Sequence, residues 1–198
     1  MSKSVFGIDY GSKLTGNTVV AIFTESQILF LDVDKGVDAD HFIINAADHF
    51  KPSHIFIDAP LSLPGVYRYS DRFNNYHFRQ ADLELKAMSP MFLGGLAARA
   101  MELKSQLQDR DIEVMETYPR VLATRFKLKA RGYKGSKVSL RPCAQSVLKR
   151  FSTNIEVDVE DITSWHHLDA LLALISAMNH IQGRTEVYGD QKEGLIYI

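Results

Sequence analysis

A nearly continuous apolar run at residues 54–57, His-Ile-Phe-Ile, constrains the fold of this chain more than any other feature. A strand with little alternation between polar and apolar positions needs cover on both faces, as in sheets packed between helices. Residues 40–50 and residues 94–108 place apolar side chains at helical spacing on either side of this run. The run therefore predicts a layered α/β domain.

The segments around this run predict a mixed sheet. Short apolar segments at residues 5–9, 18–23 and 28–33 are separated by turn residues, which predicts an antiparallel meander. A helical crossover forces the strand at 54–57 to run parallel to a neighbour, and a strand at 112–115 follows another crossover. We expect five strands, the first three antiparallel and the last two parallel, flanked by helices. Further helices are predicted at residues 79–87, 120–126, 140–151 and 165–181, and a small strand pair at 185–188 and 195–198.

The totals are typical of one soluble domain. The chain has 198 residues, a net charge of -1 and one cysteine, Cys143, which excludes an intramolecular disulfide framework. We expect a single domain over residues 1–198, with a loop insertion near 60–78 and a basic helical and loop insertion near 127–152. The start of the chain lacks the apolar run of a signal peptide, so we expect a cytoplasmic protein without membrane contact. Homo-oligomerisation stays open.

Three acids stand where predicted strands end. Asp9, Asp58 and Glu116 each follow an apolar strand, and open α/β sheets bind ligands at the carboxyl ends of their strands. If these strands are neighbours, the carboxylates converge and need protons or a cation, because like charges a few ångström apart repel. Mg²⁺ or Mn²⁺ is the expected partner for such oxygen ligands. The alternative is that each acid only forms a turn.

A fourth acid lies on the apolar helix at 165–181. Asp169 is surrounded along the helix by apolar residues, so an ionised carboxylate there needs a partner. His166 precedes it by three residues on the same helical face, where it can position or deprotonate a water molecule. His167 is expected at the helix surface.

Five motifs carry a family resemblance: the first to RNase H-like and RuvC-type nucleases, and the other four, in this order, to an uncharacterised family of predicted RNase H-like nucleases. The first, Phe6-Gly7-Ile8-Asp9-Tyr10-Gly11, is similar to the opening strand of RNase H-like and RuvC-type nucleases. The others are Ile57-Asp58-Ala59-Pro60-Leu61, Arg79-x-x-Asp82, Glu116-Thr117-Tyr118-Pro119 and Leu168-Asp169-Ala170-Leu171.

The resemblance implies an RNase H-like fold and a catalytic divalent-metal site built from Asp9, Asp58, Glu116 and Asp169. Two departures stand out. Asp48 is the acid nearest to the first-helix glutamate of true RNases H and is poorly placed, and Glu116 is a feature of this family rather than of the RuvC pattern. Arg79 and Asp82 are expected either around that site or in a helix-surface salt-bridge set.

Basic residues are strongly segregated along the chain. No acid lies between Thr117 and Ile155, although that stretch holds 10 of the 23 lysines and arginines. Such segregation favours contact with a polyanion over a merely solvated surface. The expected nucleic-acid-binding residues are Lys127, Lys129, Arg131, Lys134, Lys137 and Arg141.

The sequence therefore predicts a metal-dependent nuclease that hydrolyses phosphodiester bonds in DNA or RNA. One alternative is a non-catalytic nucleic-acid-binding protein on the same fold. A less favoured one is an actin-like nucleotide phosphatase or sugar kinase, because 198 residues do not supply the two halves and second glycine-rich loop of those proteins.

Overall fold

The computed structural model describes residues 4–151 and 155–198, which form one seven-stranded sheet with helices on both faces. The sheet has the order β3-β2-β1-β4-β5-β7-β6. Its strands are β1 (Val5–Asp9), β2 (Val19–Thr24), β3 (Gln27–Asp32), β4 (His54–Asp58), β5 (Glu113–Glu116), β6 (Val187–Asp190) and β7 (Gly194–Tyr197). The helices are α1 (Ala39–Phe50), α2 (Gln80–Leu85), α3 (Pro90–Leu93), α4 (Gly95–Gln108), α5 (Pro119–Arg125), α6 (Leu140–Leu148) and α7 (Trp165–Ile181).

The expected α/β fold with a mixed sheet is confirmed, but the number of strands was wrong. Strands β1, β2 and β3 form the antiparallel meander, and β4 and β5 add in parallel, as the crossovers predicted. The C-terminal hairpin of β6 and β7 also joins this sheet, because β7 pairs in parallel with β5 through Glu116 and Ile196. The sheet therefore has seven strands rather than five, and the hairpin covers the edge of β5 that would otherwise be exposed.

Alternation along the strands divides the core into two layers. Val5 and Phe56 pack with α7 on one face of the sheet, whereas Phe6 and Ile55 pack with α1 and α4 on the other. Helix α7 lies against β1 at Gly7, where a Cβ atom would stand only 2.0 Å from the backbone nitrogen of Leu174. The absence of a side chain at position 7 is thus what allows the helix to approach the strand so closely.

Local signals set the ends of helix α7. The Ser164 side chain accepts a hydrogen bond from the backbone N–H of His167, which caps the helix before Trp165. The predicted helix at 165–181 is confirmed in full. The predicted helices at 140–151 and 79–87 are shorter, at Leu140–Leu148 and Gln80–Leu85, and the short helix α3 was not predicted.

The prediction that His167 lies at the surface was wrong. The residue is only 4% exposed, because the first turn of α7 packs over β3 with the ring of His167 5.4 Å from that of Phe30. Its Nε2 lies 3.2 Å from Asp32 Oδ2. Helical periodicity could not identify this neighbour, since β3 is distant in sequence.

The basic stretch packs partly into the core. Leu128, Cys143 and Val147 are fully buried in the layer of α7, while the basic side chains between them are exposed. Two short 3₁₀ helices, Leu128–Arg131 and Lys137–Ser139, precede α6. Over the part of the chain that the structure describes, no helix is both long and apolar enough to cross a membrane.

Candidate metal centre

Three aspartates meet at the carboxyl edge of the central strands. Asp9 ends β1 and Asp58 ends β4, and the two are direct partners in the parallel register. Asp169 comes from the second turn of α7, which lies over the same face of the sheet. One carboxylate oxygen from each residue lies within 4.8 Å of the others. The structure therefore brings together three of the four acids that the sequence singled out.

The electrostatics of this cluster are unfavourable without a positive partner. Burial raises the pKa of Asp58 well above its ordinary value of 3.8, and the negative charges of Asp9 and Asp169 raise it further. Burial also raises the pKa of Asp169, although Lys134 opposes that shift. When ionised, three carboxylates at these distances repel one another, and a cation between them would offset that repulsion.

Two neighbouring residues from the basic stretch hold Asp169. Lys134 Nζ lies 2.5 Å from Asp169 Oδ2, and the Tyr133 hydroxyl donates a hydrogen bond to Oδ1. Burial lowers the pKa of Lys134, but Asp169 outweighs it and raises the pKa overall. Lys134, expected only to contact nucleic acid, thus also supplies a positive charge to the carboxylate cluster.

His166 joins the cluster through Asp9. Its Nδ1 lies 2.7 Å from Asp9 Oδ2, and the ring is about half exposed. The hydrogen bond to Asp9 raises the pKa of His166 above its ordinary 6.5. With Nδ1 engaged, the other ring nitrogen remains to accept or donate a proton.

Glu116, by contrast, lies on the opposite face of the sheet from the aspartates. In the register of β4 and β5 it pairs with Ile57 rather than with Asp58, so its side chain points to the layer of α1 and α4. Leu61 donates its backbone N–H to Glu116 Oε2, and Arg79 binds both carboxylate oxygens at 2.6 Å. Both oxygens are therefore occupied by protein donors.

Arg79 and Asp82 belong to this buried ion-pair group and not to the helix surface. Arg79 is 1% exposed, and it donates to both oxygens of Asp82 as well as to Glu116. Burial lowers the pKa of Arg79, but the two carboxylates outweigh it and raise the pKa, so the guanidinium stays charged. Asp82 in turn accepts the backbone N–H of Arg79 and caps helix α2. The group fixes α2 against the end of β5.

A cleft of about 530 Å³ opens over the aspartates. Asp58 and Asp169 form part of its lining, and Arg120, Lys129 and Lys134 bring positive charge to the same cavity. Among the other expected nucleic-acid-binding residues, Arg141 pairs with Glu160 on the surface. Lys127, Arg131 and Lys137 are exposed.

The donor set fits a hard divalent cation. Carboxylate oxygens are the ligands that Mg²⁺ and Mn²⁺ prefer, and the three oxygens are close enough to share one ion. Asp48, the nearest acid to the first-helix position of true RNases H, instead pairs with Arg110 at the surface. The residues that would hold a cation are thus Asp9, Asp58 and Asp169.

Comparison with known families assigns the chain. The model of the family described as "Protein of unknown function (DUF429)" matches residues 7–193. The chain belongs to the DUF429 family. A search of curated proteins returned no match. The matched range contains all three aspartates, the buried ion-pair group and the basic stretch.

Two parts of the site in this DUF429 chain were not found by sequence reasoning. Tyr133 lies within the basic stretch and was not among the predicted site residues, although it hydrogen-bonds Asp169 across 36 residues of sequence. Glu193 was not among the predicted site residues, yet it is buried and accepts the backbone N–H groups of Gly65 and Gln80. An acid in a turn near the C-terminus gives no local sign of these partners.

Proposed function

We propose that this chain is a divalent-metal-dependent nuclease with an RNase H-like fold, hydrolysing phosphodiester bonds in DNA or RNA. The observation that carries the proposal is the convergence of Asp9, Asp58 and Asp169 within 4.8 Å under a cleft with basic walls. A carboxylate cluster can hold a cation, and basic residues beside it can hold the phosphate that the cation activates. The carboxylate cluster and the basic cleft together indicate phosphodiester chemistry more specifically than either feature alone.

The strand order supports the RNase H-like part of the proposal. An antiparallel meander β3-β2-β1 followed by parallel β4 and β5 is the arrangement of the RNase H-like core. Asp9 and Asp58 lie at the carboxyl ends of β1 and β4, and Asp169 lies on α7. Each of the three belongs to one of the motifs on which the family resemblance rests. Fold alone does not fix function, so the proposal depends on the site.

Each residue has a distinct part in this proposal. Asp9, Asp58 and Asp169 hold Mg²⁺ or Mn²⁺, which when bound neutralises charge that develops on the phosphoryl oxygens. His166, oriented by Asp9, accepts a proton from the attacking water. Lys129 and Lys134 hold the phosphate in the cleft. Glu116 contributes to the architecture around the site rather than to the metal, because it lies on the opposite face of the sheet from the three aspartates.

Cleavage assays on a panel of substrates test the proposal. Single-stranded, duplex and branched DNA, RNA and RNA–DNA hybrids are incubated with the protein in Mg²⁺ or Mn²⁺. We expect cleavage that EDTA abolishes and that Asp9→Asn or Asp58→Asn reduces at least about 100-fold, since metal stabilisation of the transition state is worth several kcal/mol. Asp109→Asn, an exposed acid on another part of the surface, is the matched control and should retain full activity.

The same assay separates the non-catalytic alternative. Salt-sensitive binding of nucleic acid without metal dependence, and without cleavage of any substrate, would favour a binding protein over a nuclease. Cleavage by Asp9→Asn at the wild-type rate in Mn²⁺ would refute the metal centre itself.

A further inference from the structure

A second cluster of side chains that could hold a metal ion lies at the amino ends of β4 and β5, whereas the aspartates lie at the carboxyl ends of the strands. His54 is the first residue of β4 and Glu113 the first of β5, and the two are partners in the parallel register. His180 comes from the last turn of α7, on the same face of the sheet. His54 precedes Asp58 by four residues of an extended strand, so roughly 13 Å of strand separates this cluster from the aspartates.

The geometry of the cluster suits one ion. One ligand atom from each of His54, Glu113 and His180 lies within 4.8 Å of the other two. His54 Nε2 is already 3.5 Å from Glu113 Oε2. An ion between the three would replace this contact between imidazole and carboxylate with direct coordination.

Both histidine rings are oriented by hydroxyl groups. Nδ1 of His54 lies 2.9 Å from Ser53 Oγ, and Nδ1 of His180 lies 3.0 Å from Thr185 Oγ1. A ring that donates its Nδ1 hydrogen presents the lone pair of Nε2, and such outer hydrogen bonds are what fix the ligating tautomer in metal sites. The hydroxyl groups thus orient both rings, and this orientation is separate from the proximity of the three side chains.

Packing further restricts the ring of His180. It lies edge-on to Tyr197, with ring centroids 6.0 Å apart, and 5.7 Å from the ring of Phe56. A ligand held in this way loses little rotational freedom when it binds an ion. Glu113, whose side chain is 68% exposed, leaves the cluster open to solvent, so water can complete the coordination.

We propose that His54, Glu113 and His180 bind a transition-metal dication of the Zn²⁺ class. Two imidazoles and one carboxylate suit Zn²⁺, Co²⁺ or Ni²⁺ better than Mg²⁺, which prefers oxygen ligands alone. Three protein ligands with solvent access resemble an open site rather than a closed structural one. The ion would also tie the end of α7, the helix that carries Asp169, to β5 and to β4, the strand that carries Asp58.

The test uses the untagged full chain, stripped with EDTA and titrated with Zn²⁺ by calorimetry and with Co²⁺ by its ligand-field absorption. We run it in the Asp58→Asn background, which removes one ligand of the aspartate cluster and so weakens competing binding there. One equivalent of Zn²⁺ should bind and raise the melting temperature. His180→Gln and Glu113→Gln should each weaken the Zn²⁺ affinity at least about tenfold. His49→Gln, an exposed histidine on α1, should bind Zn²⁺ as the background does.

Each outcome decides the proposal. His180 packs against aromatic rings, so a folding defect in His180→Gln is checked by circular dichroism, and the exposed Glu113→Gln supplies the independent variant. Unchanged Zn²⁺ affinity in properly folded Glu113→Gln, or no Zn²⁺ binding in the Asp58→Asn background, would overturn the proposal. Because nuclease activity is not measured, failure here leaves the proposed function untouched, and the reverse also holds.

Discussion

Replacing Arg79 with methionine tests the strongest electrostatic feature of the structure. The side chain is 1% exposed and is held between Glu116 and Asp82, which are 5% and 1% exposed. Methionine keeps much of the volume and removes the charge. The two carboxylates would then lie in the interior without the cation that compensates their charge.

The expected cost follows from burial. Breaking a buried ion pair by removing one partner costs about 3–5 kcal/mol, because an uncompensated charge stays behind. For a domain of this size about 1 kcal/mol corresponds to roughly 2–4 °C in melting temperature, so a fall of about 6–20 °C is expected. That is a large share of a typical stability of about 5–15 kcal/mol.

Urea unfolding followed by circular dichroism, at neutral pH and in EDTA, measures this cost. Arg110→Met is the control, because Arg110 also pairs with an aspartate, Asp48, while their side chains are 37% and 45% exposed. Exposed pairs are worth about 0–1 kcal/mol, so the control should change little. Adding Glu116→Gln and Asp82→Asn to Arg79→Met should recover part of the loss, since the unpaired charges are then gone.

Glu116→Gln by itself separates two roles for this acid. If Glu116 is a partner of Arg79, the variant loses stability and keeps the Mn²⁺ affinity of the aspartate cluster. A variant with wild-type stability and much weaker Mn²⁺ binding would refute the reasoning, as would an Arg79→Met protein as stable as Arg110→Met.

Three further predictions concern the aspartate cluster and the packing of α7 against β1. Because the folded pKa of Asp58 lies above 3.8, native stability falls as pH rises from 3.8 through the folded pKa. Asp58→Asn should therefore be more stable than wild type at pH 7 in EDTA, by about 1.4 kcal/mol for each pH unit by which the pKa is raised. Near pH 3 the two proteins should be equally stable. Urea unfolding measures the difference, and a variant less stable than wild type at pH 7 would contradict the prediction. Gly7→Ala should cost about 1–3 kcal/mol or more and impair metal binding, because its Cβ meets the Leu174 backbone at 2.0 Å; an unchanged melting temperature would exclude that close contact. The hydrogen bond to Asp9 raises the pKa of His166 above 6.5. Wild type should therefore be more stable than His166→Gln below pH 6.5 and should lose that advantage as the pH rises further. A stability difference that does not change with pH in urea titrations would disprove this prediction.

Much of the fold was predictable because its signals are local. Apolar periodicity and the Ser164 cap define α7, and both are contained within the helix and the residue before it. The parallel placement of β4 follows from the crossover rule. The extension of the sheet by β6 and β7 was not predictable in the same way, since whether a hairpin stands alone or joins an edge depends on a partner strand distant in sequence.

The sequence by itself determined which acids end strands and which one interrupts an apolar helix, because strand ends and helical faces are properties of short segments. Only the tertiary structure decided which of those acids meet. Asp9 and Asp58 share a face because they are register partners, whereas Glu116 is offset by one residue and points to the other side of the sheet. A one-residue offset between strands whose register partners are 59 positions apart leaves no trace in either segment. The contact between Lys134 and Asp169 likewise leaves no trace in either segment. His54, Glu113 and His180 also come close together only when the two strands and the helix pack.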